Sequence, residues 1–148
     1  MKRFRFRLQK VLDYRATVKR EKENELAQKN YELRTAEEIL DQIIDEQDSH
    51  SLAETTVTSM AELSLTGEYQ ARLRDALENQ RLLILDAASA VEDARNAYIE
   101  KAIEKEILEE LRSKRHEEFR EEERKRERKE IDELVVQRHR LGKPSADN

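Results

Sequence analysis

The sequence predicts an all-α protein: two long helices folded back on each other as an antiparallel coiled-coil hairpin, the second helix longer than the first. Three observations predict it. Two glycines, Gly67 and Gly142, and one proline, Pro144, punctuate 148 residues, far too few for the frequent turns of an all-β or α/β fold. Charged residues are 43% of the chain and hydrophobic ones 36%, against about 25% and 45–50% in an ordinary globular domain, so apolar area is too scarce for a compact multilayer core. The apolar residues that remain recur at regular spacing, which a disordered chain of this polarity would lack.

Residues 7–48 form the first element. They contain no Gly or Pro and consist mainly of Leu, Ala, Glu, Lys, Gln and Arg, the strongest helix formers. Leu12, Leu26, Leu33 and Leu40 are spaced in multiples of seven, with Lys19 in the intervening slot. Leu8, Ala36 and Ile43 occupy the companion slot, so the pattern is that of a heptad seam. Arg15, Lys22 and Lys29 interrupt the companion slot; their aliphatic stems can cover an apolar seam while their charges reach water. Val11 and Val18 add a neighbouring row.

Residues 49–66 break the pattern and predict a connection, with room for one short helical turn. Ser and Thr cluster and charge density falls; hydroxyl side chains compete for backbone hydrogen bonds and favour caps and turns. Ser59 and Glu62 have the spacing of a capping box, and Thr66 is a second candidate N-cap.

Residues 67–141 predict the second helix. Leu73, Ala87, Ala94 and Leu108 share one heptad slot with Gln80 and Lys101, while Tyr69, Ala76, Leu83, Ala90, Ala97 and Leu111 share the other. Leu77, Ile84, Val91 and Tyr98 form a flanking row. The alanine-rich middle admits a partner helix closely, and bulky Leu and Ile on the first helix fill the space opposite. From Arg112 to Glu130 the stripe fades, leaving Phe119 as the large apolar residue among alternating acids and bases; many of these stand at i,i+4 spacing and support a solvated helix. Ile131, Leu134, Val135 and Val136 restore apolar character. Gly142 and Pro144 then stop the helix and leave a tail at 142–148.

The lengths agree with the pattern. A first helix of about 42 residues spans about 63 Å, and a second of about 74 residues about 111 Å. Folded back at 49–66, Leu8 comes near Leu108, and roughly 30 residues of the second helix overhang, starting where the stripe fades. A parallel dimer running straight through the connection would give no reason for the stripe to stop at Leu111.

Most catalytic chemistry finds no footing here. Two isolated glycines build no phosphate loop, dinucleotide fingerprint or nucleophile elbow. The absence of cysteine excludes disulfides and thiolate metal sites. His50, His116 and His139 share no ligand spacing, and carboxylates on solvated helix faces have no water-excluding pocket to tune them. The reading is a non-enzyme without cofactor or metal. Net charge is −5, from 29 Lys+Arg and 34 Asp+Glu, so no overall basic field points to nucleic acid. Between Arg112 and Glu130 bases outnumber acids nine to seven, but the signs mix and aromatic stacking residues are missing. No apolar run approaches the ~20 residues of a bilayer crossing. The basic start at Lys2–Arg7 lacks the apolar stretch of a secretory signal, and the chain reads as cytosolic. Phe4 and Phe6, set among Arg3, Arg5 and Arg7, suit either stapling the hairpin's open end or docking into a partner with acidic surface, and the cost of two exposed aromatics at a coiled-coil end favours the partner.

The run Phe4-Arg5-Phe6-Arg7-Leu8-Gln9-Lys10-Val11-Leu12-Asp13-Tyr14-Arg15 resembles the opening of the FliJ family of the flagellar type III export apparatus. The plan of two long helices, the second longer with a highly charged final third, is similar too. A sharper likeness is an aromatic, Leu, Ala and a polar residue at spacing 4-3-4, here Tyr69, Leu73, Ala76 and Gln80. The resemblance implies a stalk like the rotary ATPase γ subunit, inserted by its two termini into the flagellar export ATPase hexamer (FliI-like). It implies contact of Tyr69, Leu73, Ala76 and Gln80 with the cytoplasmic domain of the large export-gate subunit (FlhA-like), and handling of export chaperones. Phe4, Phe6, Leu8, Val11, Leu108 and Leu111 then sit at or near the ring, and the membrane is reached through partners. The chain departs from some relatives with Gln80 where a His can occur, and with Glu46 and His50 near positions where aromatics can occur. Seam packing accounts equally for Leu73 and Ala76, which leaves Tyr69 and Gln80 more available to a partner. Two other readings stay open from the residues: the stalk protein of an injectisome type III system, and a generic coiled-coil scaffold.

Overall fold

A computed structural model of the chain describes residues 2–53, 56 and 59–142. It contains two helices, α1 (Gln9–Ala53) and α2 (Met60–Leu141), which pack antiparallel as a coiled-coil hairpin with the second helix longer. Both reach further toward the connection than the Ser/Thr content predicts. Two local features explain this for α2. Ser59 Oγ accepts a hydrogen bond from the Glu62 backbone N–H at 3.2 Å, so Ser59 rather than Thr66 is the N-cap. Thr66 lies inside the helix, where its hydroxyl turns back onto the Glu62 and Leu63 carbonyls, an arrangement that satisfies the hydroxyl without ending the helix. Gly67 is likewise helical, with nothing within 4 Å of where a Cβ would stand. Arg138, His139 and Arg140 occupy the last turn of α2, where cations complement the helix dipole. The tail beyond Gly142 lies outside the described residues, as do parts of the connection.

The fold divides into two compact units: residues 17–102, and residues 1–16 with 103–148. In the unit of residues 17–102 the helices run antiparallel. Lys19 Nζ stands 5.9 Å from the centre of the Tyr98 ring, Gln80 Nε2 donates to the Ala36 carbonyl at 2.8 Å, and the Tyr69 hydroxyl donates to the Glu46 carboxylate. Leu73 and Val91 are buried, as is Gln80. Lys22, Lys29, Ala36 and Ile43 are half-buried along α1, and the two lysine ammonium groups pair with Glu25 and Glu32 of the same helix. On α2 the seam departs from the expected slots at one point. Leu83 is 57% exposed, whereas Val91 of the flanking row is 5% exposed. The flanking row Leu77, Ile84, Val91 and Tyr98 is half-buried or buried throughout and shares the contact with the expected slots.

The other unit has Leu12 as its buried residue. Arg15 forms an ion pair with Glu104, and Phe4 reaches His116 and Phe119, again an antiparallel order. From Arg124 to Gly142 every residue of the chain is exposed. That stretch is helical without a packed face, held by backbone bonds and near-neighbour ion pairs such as Arg126–Glu123 at 3.0 Å, each worth about 0.2–0.5 kcal/mol.

Candidate functional site

The 4-3-4 patch lies in the unit of residues 17–102, early on α2. The structure treats its four residues differently. Tyr69 is half-buried and clasped by two α1 side chains one turn apart: its ring stacks on His50 with centroids 4.5 Å apart, tilted 46°, and its hydroxyl bonds to Glu46. The bond to the Glu46 carboxylate, helped by desolvation and by the carboxylate's charge, holds the Tyr69 hydroxyl above the ordinary phenol value, because ionisation would lose the donor and set two negative charges together. His50 Nδ1 is buried with no hydrogen-bond partner among the described residues. Leu73 is buried and Ala76 half-buried, as their heptad slots dictate. Gln80 is buried too, 8% exposed, with its amide on the Ala36 carbonyl. The expectation that Gln80 would be more available than Leu73 or Ala76 is corrected: a buried amide must find a partner, and the α1 backbone supplies one.

The patch therefore presents an edge, not a four-residue face, with Tyr69 at its open side. Sequence reasoning named Glu46 and His50 only as departures from relatives. Their i,i+4 spacing was the signal that they share one α1 face. What they would meet depended on the pairing of the two helices.

The residues assigned to the ring lie in the other unit. Phe4 and Phe6 are half-buried, Leu8 and Val11 exposed, and Leu108 and Leu111 half-buried. Phe4, Phe6, Leu8, Leu111 and Phe119 line an open groove of about 840 Å³ together with the bases Arg3, Arg5, Arg7 and Arg115 and the acids Glu118 and Glu122. His116 and Phe119, the residues that receive Phe4, were missed; Phe119, the lone aromatic in a charged stretch, was their sequence signal. Further along α2, Ile131, Leu134 and Val135 project at i, i+3 and i+4, 59%, 64% and 61% exposed.

Among the described residues no cluster of His, Asp or Glu could hold a metal ion, and no helix is long and apolar enough to cross a membrane. No curated protein and no solved structure matches the chain. A family model described as flagellar FliJ protein matches residues 4–143. With nearly the whole chain covered, and with the helical hairpin and its longer second helix in place, this protein belongs to the FliJ family, structural components of flagellar protein export.

Proposed function

We propose that this chain is a non-catalytic stalk that enters the hexameric flagellar export ATPase with its two termini and links the ring to the export gate. The observation that carries the reading is the solvated end of α2. From Arg124 to Leu141 a helix stands fully exposed while presenting Ile131, Leu134 and Val135. A single helix is narrow, about 10–12 Å across with side chains, and contiguous exposed apolar residues are a mark of an interaction surface. Phe4, Phe6, Leu8, Val11, Leu108 and Leu111 contribute contacts at the ring face. At the gate, the exposed edge of the 69–80 patch is read through Tyr69, with Leu73, Ala76 and Gln80 holding its backbone in place. Family membership supports the flagellar system over an injectisome. The protein would act at the cytoplasmic side of the inner membrane through these partners, with export chaperones as further partners.

Hydrolysis by the purified export ATPase, measured with and without this protein at saturating concentration, tests the reading. Stimulated turnover and a larger hexamer fraction are expected, with Leu134→Ala and Val135→Ala reducing both. No change in either quantity would sink the stalk assignment.

A further inference from the structure

Residues 2–6 lie outside any helix and alternate along their length: Phe4 and Phe6 are half-buried, Arg3 and Arg5 exposed. That is the period-two pattern of an extended segment with one apolar side. Its hold on α2 is aromatic. The Phe4 ring meets His116 edge to face, with centroids 4.9 Å apart and planes at 86°, and leans on Phe119 at 5.6 Å and 51°, geometries that aromatic pairs favour. Among the described residues no backbone hydrogen bond joins residues 2–5 to α2; the nearest one, Gln9 N–H to the Phe6 carbonyl at 3.1 Å, belongs to the turn that opens α1.

We propose that residues 2–6 are a releasable latch over the Leu111–Phe119 face of α2, with Phe4 as its catch. Three physical points put the closed and open states near balance. The contact is shallow, since Phe4 and Phe6 stay only half-buried in an open groove. Among the described residues the segment's ring contacts are two, Phe4 with His116 and Phe4 with Phe119. Against them stands the conformational entropy of ordering five backbone residues. Closed, the latch shields Phe119 and the end of the seam at Leu111. Open, it bares both, together with Phe4 and Phe6, as one apolar surface. The latch is a property of the chain by itself and stands independently of the ring-binding reading.

The test uses this isolated chain, whose 148 residues include no cysteine. Spin labels are placed on Arg5→Cys and Arg120→Cys, both at exposed positions, and the distance distribution is recorded with and without Phe4→Ala. The expected result is a short distance and a broad longer one populated together in the parent chain, the long-to-short ratio rising about tenfold in Phe4→Ala, as loss of ring contacts of ordinary strength should produce. Helicity by circular dichroism should stay unchanged. Phe119→Ala, which removes the receiving ring and leaves the latch sequence intact, should give the same shift. An unmoved distance distribution in either variant overturns the catch assignment. A parallel loss of helicity in both overturns the latch, because the segment would then be part of the folded core.

Discussion

Two stretches of α2 make the same backbone and face different surroundings. Between Leu73 and Tyr98 the helix lies against α1; Ala87, Ala90, Ala94 and Ala97 are half-buried and Leu73 and Val91 buried. Between Arg124 and Leu141 it lies against water, and Ile131, Leu134 and Val135 are as exposed as the charges around them. In the packed stretch small alanines sit beside buried Leu73 and Val91, whereas among the described residues none covers Ile131, Leu134 or Val135. In the first stretch apolar character follows the seam. In the second it follows a surface that no described residue fills, while helix-favouring residues and near-neighbour ion pairs maintain the backbone. Helical continuity therefore says little about where this molecule is packed; exposure of the branched side chains says more.

The largest expected effect breaks the comparison at its packed side. Leu73→Ala should lower unfolding stability by about 2 kcal/mol, near the lower end of the core range because a two-helix seam buries each residue on few sides. Leu134→Ala should leave stability within about 0.5 kcal/mol of the parent, as exposed substitutions do, while weakening partner binding. Urea unfolding followed by circular dichroism reads both; equal losses would mean that the two stretches are packed alike.

A smaller effect tests the polar residue within the seam. Gln80→Ala removes the hydrogen bond to the Ala36 carbonyl, and a loss of about 1 kcal/mol is expected. Gln80→Leu should recover stability through apolar burial but permit alternative helix pairings, since a lone buried polar residue specifies register in coiled coils. Cross-linking of cysteine pairs placed in the native register, across the seam, would report the slippage.

The smallest effect concerns the aromatic residue at the patch. The Tyr69 hydroxyl titrates above its ordinary value because it donates to Glu46. A group raised in the folded state contributes stability that is complete below its unfolded value. That contribution disappears as pH climbs through the folded value. Stability should therefore be level across neutral pH and decline above about pH 10, where free tyrosine ionises. Tyr69→Phe should lessen that decline. An unchanged alkaline slope in the variant would show that the hydroxyl bond to Glu46 is not formed in solution.

The legible parts of this protein are those that neighbouring residues settle. Leu12 and Leu73 announce the seam through seven-residue spacing, and both are buried. Ser59 with Glu62 announces a cap, and the cap bond is made. The second helix begins at Met60, inside the stretch that the Ser/Thr content predicts as connection, because a Thr66 hydroxyl that favours turns in general is satisfied inside this helix by the carbonyl one turn back. For the candidate sites, Tyr69, Phe4 and Phe6 were legible as aromatics that a highly charged helix does not need. Their surroundings were not. Glu46 and His50 lie on the other helix from Tyr69, and Phe4 is separated from Phe119 by most of the chain.

Composition and periodicity alone determined that the chain is helical, that it doubles back, and that its second helix is the longer, because backbone propensity and a repeating apolar slot act over a few residues. Tertiary structure decided that Val91 packs where Leu83 does not, that Gln80 is buried on a carbonyl, and that Tyr69 is clasped by Glu46 and His50. Each of those outcomes depends on the relative register and rotation of two helices, and a shift of either by one residue turns every side chain by about 100°.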